Sequence, residues 1–400
     1  MYFARRNEPG VFVASLDSTQ TKLITSGYIG VDYVEPGYLL LLAGGPGSET
    51  AGTLMAQRFD VDRLQLVGDA VPVAESVAIR TLYARGAFSA SDNGRLVHGS
   101  PLEQVTQLRW FDRQGKELGH LAAPGGYGRF DLAPDEKTVA VEMIDPLLDT
   151  SDIWLMDTTR GVTSRFTLDA GSERFPLWSR DGRNILFSSP RNNDPPAFFR
   201  KSSNGTGAEE LVFKSPINIQ ATDISSDGTL VYATLNPKTQ WDLWVLPARS
   251  GPGGERRPMR YLETPFVEHN AHLAPDGRWM AYASDESGRF EIYVGAFPEF
   301  KARWQLSTQG GVEPRWRRDG KELFYMALDR TLTAVPIQSQ DGFKAGVPQR
   351  LFKTRVAAFG TEMWKPQFAV SGDGQRFLIN TIVEDAATPP VTQDGAGGAS

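Results

Sequence analysis

Apolar residues in this chain alternate with polar ones over short runs, and the runs come in pairs around tight turns. The stretch Leu273-Ala274-Pro275-Asp276-Gly277-Arg278-Trp279-Met280-Ala281-Tyr282 shows the unit: a strand, a corner at Asp276-Gly277, and a second strand. Gly277 can adopt the positive φ that a hairpin corner needs, and Asp276 can bond its own backbone across the turn. The unit recurs with corners at Glu35-Pro36-Gly37, Asp92-Asn93-Gly94, Asp135-Glu136, Asp181-Gly182, Asp227-Gly228, Asp276-Gly277, Asp319-Gly320 and Asp373-Gly374, spaced 42 to 57 residues apart. A third strand follows at a steady offset, as in Asp152-Ile153-Trp154-Leu155 and Asp242-Leu243-Trp244-Val245, and a short fourth closes each unit. No segment carries a sustained helical period. The pattern predicts an all-β protein, a β-propeller of four-stranded blades.

The ends decide how such a ring would close. Residues 1–26 hold strands without a preceding corner, and residues 366–383 hold a corner and one strand with no convincing successor. Two half blades of this kind would pair and hide their edges, which gives eight blades with the last shared between the termini. Seven blades, or an open fragment of a longer array, are the alternatives. The predicted domain is a single propeller over 1–383, followed by an Ala-, Thr-, Pro- and Gly-rich tail, 384–400, expected to be disordered. Glu136 stands where the other corners have glycine, so a different turn is expected there.

Composition narrows the function classes. The net charge of −6 offers no broad basic field for nucleic acid or acidic lipid. There is no cysteine, so disulfides, thiolate metal sites and cysteine nucleophiles are absent. The longest apolar run, Tyr38-Leu39-Leu40-Leu41-Leu42-Ala43, is too short to span a bilayer. The expectation is a monomer that does not itself insert in a membrane.

Trp178-Ser179-Arg180-Asp181-Gly182-Arg183-Asn184-Ile185-Leu186-Phe187 and Leu273-Ala274-Pro275-Asp276-Gly277-Arg278-Trp279 resemble the repeat of TolB-type propellers. Longer stretches, among them Glu286-Ser287-Gly288-Arg289-Phe290-Glu291-Ile292-Tyr293-Val294 and Pro314-Arg315-Trp316-Arg317-Arg318-Asp319-Gly320-Lys321-Glu322-Leu323-Phe324-Tyr325, resemble the C-terminal propeller region of bacterial membrane serine/threonine kinases. That resemblance implies a propeller outside the cytoplasmic membrane, while the composition leaves a cytoplasmic location open. Kinase activity does not carry over, because the Gly-rich loop, the catalytic His-Arg-Asp and the Asp-Phe-Gly are missing.

Candidate chemistry is sparse. No Gly-x-Ser-x-Gly elbow is present. The four histidines, His98, His120, His269 and His272, do not recur at one blade position. His269 and His272 lie three apart on a predicted strand, so their rings are expected on opposite faces, unsuited to one metal. Asp145, Asp149 and Asp152 suit a solvated turn better than a calcium loop. Arg315-Trp316-Arg317-Arg318 reads as an inner strand rather than a nucleic-acid contact.

Residues just before each inner strand should rim the central channel: Tyr127, Arg129, Glu173, Arg174, Gln220, Glu268, His269, Glu313, Trp364 and Lys365. A mouth of mixed charge and aromatics suits a protein, peptide or small ligand. The expectation is therefore a non-catalytic binding or scaffold module of a TolB-like or kinase-linked envelope system, with no cofactor and no metal. A channel-site hydrolase or lyase, or a truncated kinase fragment, are the alternatives.

Overall fold

The computed structural model describes residues 2–4, 10–14, 21–44, 51–80, 85–86, 88–91, 95–98, 105–145, 150–169, 171–191, 196–248, 256–356 and 367–383. The chain divides into two compact units, one built on Met1–Glu103 with Asp145–Asp149 and Gly360–Glu362, the other on Gln104–Ile144, Thr150–Phe359 and Met363–Ser400. The secondary structure is β throughout, and no helix is long and apolar enough to cross a membrane among the described residues.

The first unit contains an antiparallel sheet of Tyr28–Val34, Tyr38–Gly44, Ala51–Asp60, Gln65–Arg80 and Arg85–Gly86, in that order. Strand alternation divides its leucine run between two faces. Leu39 and Leu41 bury with Phe59 and Val11, while Leu40 and Leu42 bury with Leu54 and Val77. Tyr2–Ala4, Gly10–Ala14 and Thr21–Ser26 form their own three-stranded sheet.

The second unit is a ring of six sheets, five of four strands and one of five, in which Lys344–Ala345 and Gln349–Lys353 both pair with Thr331–Gln338. Blades one to five begin with the inner strands Tyr127–Leu132, Arg174–Trp178, Ile219–Ile224, Glu268–Leu273 and Val312–Trp316, and each then runs outward in chain order. The sixth blade is composite. Phe368–Val370 and Arg376–Ile382 supply its inner half, and Thr106–Asp112 and Glu117–His120 its outer half. Each inner strand touches the next, and Phe368–Val370 closes the circle by touching both Val312–Trp316 and Tyr127–Leu132.

Closure therefore differs from the expected pairing of residues 1–26 with 366–383, and this ring holds six sheets rather than eight. The reason is register. Thr106 through Asp112 pair residue for residue with Ile382 through Arg376, placing Leu108 and Trp110 beside Leu378 and Ala369 in one buried cluster. The proposed disordered tail, 384–400, lies outside the described residues.

Large side chains fill the wedges between blades. Phe198 of blade two meets Tyr232 of blade three edge-on at 5.9 Å, and Phe324 of blade five meets Phe377 of blade six at 5.2 Å.

Candidate functional site

The corners fix the site because each inner strand ends in one. Gly182, Gly277, Gly320 and Gly374 take φ of 70°, 66°, 72° and 71°. Glu136 takes 62°, so the expected different turn is not found. Its side chain accounts for the exception. Glu136 accepts the Gly372 N–H at 2.7 Å and pairs with Arg318 and Arg376, tying blade one to blades five and six.

Counting back from each corner aspartate places the inner-strand residues in tiers around the axis. Four residues before it stand Asp131, Leu177, Asp223, His272, Arg315 and Ala369. Six before it stand Arg129, Phe175, Ala221, Asn270, Glu313 and Gln367. The first five inner strands bulge in this interval, and Phe175, Asn270 and Glu313 hold positive φ there. The bulge breaks strict alternation, so residues three apart across it can face the same neighbouring blade. For this reason His269 and His272 both reach blade three, contrary to the expectation of opposite faces. His269 Nε2 lies 3.1 Å from Gln220, and His272 Nδ1 lies 3.6 Å from Asp223.

The tier nearest the corners is partly open, with Asp131, Leu177, His272 and Arg315 half-buried; the tier below is mostly buried. Between them is a cavity of about 20 Å³ lined by Arg129, Asp131, Phe175, Asn270, His272 and Arg315, among others. It has room for about one water.

The charges around it are set by neighbours. Asp223 accepts from Arg180 at 2.8 Å and from the Leu273 N–H at 2.8 Å. Burial alone would raise its pKa, but Arg180, His272 and that N–H hold it at about 2. Asp131 makes the same backbone bond two repeats earlier, to the Trp178 N–H at 2.8 Å, but burial wins there and lifts it to about 6. His272 is lowered to about 4 by burial and by Arg315, whose Nη1 contacts Nε2. Nε2 is thus the acceptor, leaving the ring proton on Nδ1 toward Asp223. Deeper in the channel, Arg129 lies over the Phe175 ring at 4.3 Å and donates to Gln220, and burial lowers it to about 9.

No protein-family model matches the sequence. The Tol-Pal system protein TolB of Wolinella succinogenes is 25% identical over 144 residues, covering 36% of this chain and 32% of that one. The uncharacterized peptidase YuxL of Bacillus subtilis is 24% identical over 182 residues, covering 36% of this chain and 28% of its own. The chain thus spans about a third of the length of these curated relatives. Among solved structures, a putative TolB from Agrobacterium tumefaciens superposes with a TM-score of 0.56 at 15% identity, over 70% of this chain and 98% of that one. The fold is that of a TolB-like β-propeller.

Most residues expected at the channel rim of this TolB-like ring are buried. Tyr127, Arg129, Glu173, Gln220, Glu268, His269 and Glu313 are each less than one-tenth exposed. Arg129 lines the cavity, and Gln220 and His269 extend its hydrogen-bond network. Tyr127 donates to the Ala123 carbonyl. Glu173 and Glu268, eight residues before their corners, accept from Ser189 and Thr264 within their own blades or the adjoining loop. Glu313 accepts the Gln367 N–H at 2.7 Å. Burial raises these three carboxyls to about 7, 8 and 7. Arg174 is half-buried, and Trp364 and Lys365 lie outside the described residues.

The expected set omitted Asp131, Asp223, His272 and Arg315. Their common offset from the corner was the available signal. Several other candidates have structural partners. Asp152 pairs with Arg165, Arg317 with Asp319 and Glu322, and Arg318 with Glu136. Asp149 lies outside the described residues. No group of three or more metal-ligating side chains occurs among the described residues.

Proposed function

We propose that this chain is a non-catalytic, TolB-like propeller that holds a protein partner at the corner-side mouth of its channel, as an interaction module of the bacterial envelope. One observation carries the reading. Among the described residues the inner side chains are engaged with one another and the cavity between them holds about one water, which favours a contact at the mouth over an enclosed substrate chamber. A partner must then rest on the mouth and send in no more than the tip of one side chain. The likeness to TolB, which bears the Tol-Pal system in its name, supports a protein partner over a small metabolite. Of the expected rim residues, Arg129, Gln220 and His269 would act from below, through the network that supports the mouth. The sensor portion of a kinase-linked system is a narrower form of the same proposal.

A channel-site hydrolase or lyase draws on the Asp223–His272 pair. In that reading His272 would serve as base through Nε2, the nitrogen that Arg315 caps. The binding reading needs no such rearrangement.

A displayed peptide library selected against the full chain tests it. Saturable binders are expected, and Leu177→Trp, which crowds the half-buried wall of the cavity at the mouth, should abolish their retention. Binders indifferent to this plug, or steady turnover of ester, glycoside or peptide substrates, would overturn the proposal.

A further inference from the structure

Arginines near the channel mouth mostly meet carboxylates. Arg180 pairs with Asp223, Arg317 with Asp319 and Glu322, and Arg318 and Arg376 with Glu136. Arg315 departs from this pattern. Its Nη1 rests on His272 Nε2 and on the Pro314 carbonyl, both neutral. Among the described residues it forms no ion pair within 4.0 Å, and its Nε and Nη2 have no hydrogen-bond partner. The guanidinium forms part of the cavity wall.

We infer that Arg315 is the seat for a single carboxylate group, which the partner inserts through the corner-side mouth. This rests on the proposed partner site and names the chemistry that the site selects. A guanidinium edge with two free donors matches a carboxylate, which accepts two parallel hydrogen bonds. The cavity holds about one water, so a carboxylate would set one oxygen there against Arg315 and leave the rest of its group in the mouth.

The surrounding charges permit it. Arg129 and Arg315 both line the cavity, against Asp131 alone among its carboxylates. Asp223 is offset by Arg180 at 2.8 Å. Glu313 lies one tier deeper, turned to the Gln367 N–H. His272 is neutral and already committed to Asp223 and Arg315. Phe175 supplies an apolar wall under the Arg129 guanidinium. Asp131, Asp223 and Glu313 act on Arg315 through space without an ion pair within 4.0 Å, so the guest replaces water on its unbonded guanidinium edge and does not compete with a direct ion pair.

The test uses the full chain and defined probes. Acetate should shift the Arg315 Nε–H resonance saturably and raise the melting temperature, while equal chloride or phosphate should do neither. Three short peptides then identify the source: Asp with a blocked C-terminus, all-Gly with a free C-terminus, and Asn with a blocked C-terminus. One or both carboxylate peptides should bind about tenfold more tightly than the Asn peptide, and Arg315→Met should remove that difference. Arg315→Lys keeps the charge without the fork and should bind with intermediate affinity, which guards against a variant that fails to fold. An acetate effect that survives in Arg315→Met, or is matched by chloride, would overturn the inference. So would selected partner peptides that bind Arg315→Met unchanged, and in that case the partner site itself would stand. Loss of all mouth binding with the acetate response intact would sink the partner site and leave the carboxylate seat.

Discussion

Glu136 accepts the Gly372 N–H at 2.7 Å, so the first blade's corner is fastened to the sixth's by a residue that occupies a glycine position. Two effects oppose each other at this site. A non-glycine residue at φ 62° costs about 1–2 kcal/mol. A charged hydrogen bond to a partly buried donor returns about 1.5–3 kcal/mol, with a smaller share from the two arginines. Glu136→Ala keeps the strain and loses the clasp, whereas Glu136→Gly loses both. Denaturant melts should therefore rank wild type first, Glu136→Gly second and Glu136→Ala last, with the two variants about 1 kcal/mol apart. A wild type no more stable than Glu136→Gly would show that the clasp does not operate.

Asp131 and Asp223 occupy the same tier and accept the same backbone N–H from the following blade, yet they should respond oppositely to substitution. Asp223, held at about 2, stabilises the fold above its unfolded pKa, and this contribution fades as pH falls toward 2. Asp223→Asn leaves Arg180 and His272 without their carboxylate, at a cost of about 2–3 kcal/mol at neutral pH. Asp131 is raised to about 6, so the folded state holds its proton more tightly and stability falls as pH rises from about 4 to 6. Asp131→Asn keeps an acceptor for the Trp178 N–H without the buried charge. It should be near neutral in stability and slightly favourable at pH 8. Urea melts of both variants at pH 5 and pH 8 check the contrast.

Glu173, Glu268 and Glu313 extend the argument to the whole ring. Their folded pKa values of about 7, 8 and 7 lie above the ordinary carboxylate range, so the folded state binds more protons than the unfolded chain through that window. Stability should decline as pH rises from about 6.5 to 8.5; the lowered His272 and His269 oppose this only until the unfolded chain's histidines, near 6.5, have given up their protons. Glu268→Gln should flatten the decline. A melting temperature that climbs over this range in the wild type would refute the assignment of these groups.

The blades were legible because the corner dictates its own chemistry. Asp and Gly recur where a positive φ is required, and the flanking alternation follows from the pleat. Closure was not legible. Thr106–Asp112 has the same strand pattern whether it follows Leu96–His98 or lies beside Arg376–Ile382, and only the ring places it next to the latter. Period two also fails inside the inner strands. There one bulged residue turns His269 and His272 the same way and brings Asp131, Asp223 and Arg315 to a common mouth. A residue such as Arg315, read along the chain, is one cation in a basic run. Read around the axis, it is the cation with carboxylates near but none within ion-pair distance.

Closure itself can be locked. Thr106 lies opposite Ile382 in the antiparallel pair that completes the sixth blade. Facing residues in such pairs have Cα atoms about 4.5–5.5 Å apart, within the range a disulfide spans. The chain has no cysteine, so Thr106→Cys combined with Ile382→Cys gives a single bridge and no competing thiol. Oxidation should crosslink the chain to itself, make it run faster than the reduced form in denaturing gels, and raise its stability by about 2–4 kcal/mol by closing a very long loop. If residues 1–26 closed the ring instead, the two introduced thiols would stay apart and remain reactive to a thiol probe in the folded protein, while a cysteine pair built between residues 1–26 and 366–383 would crosslink.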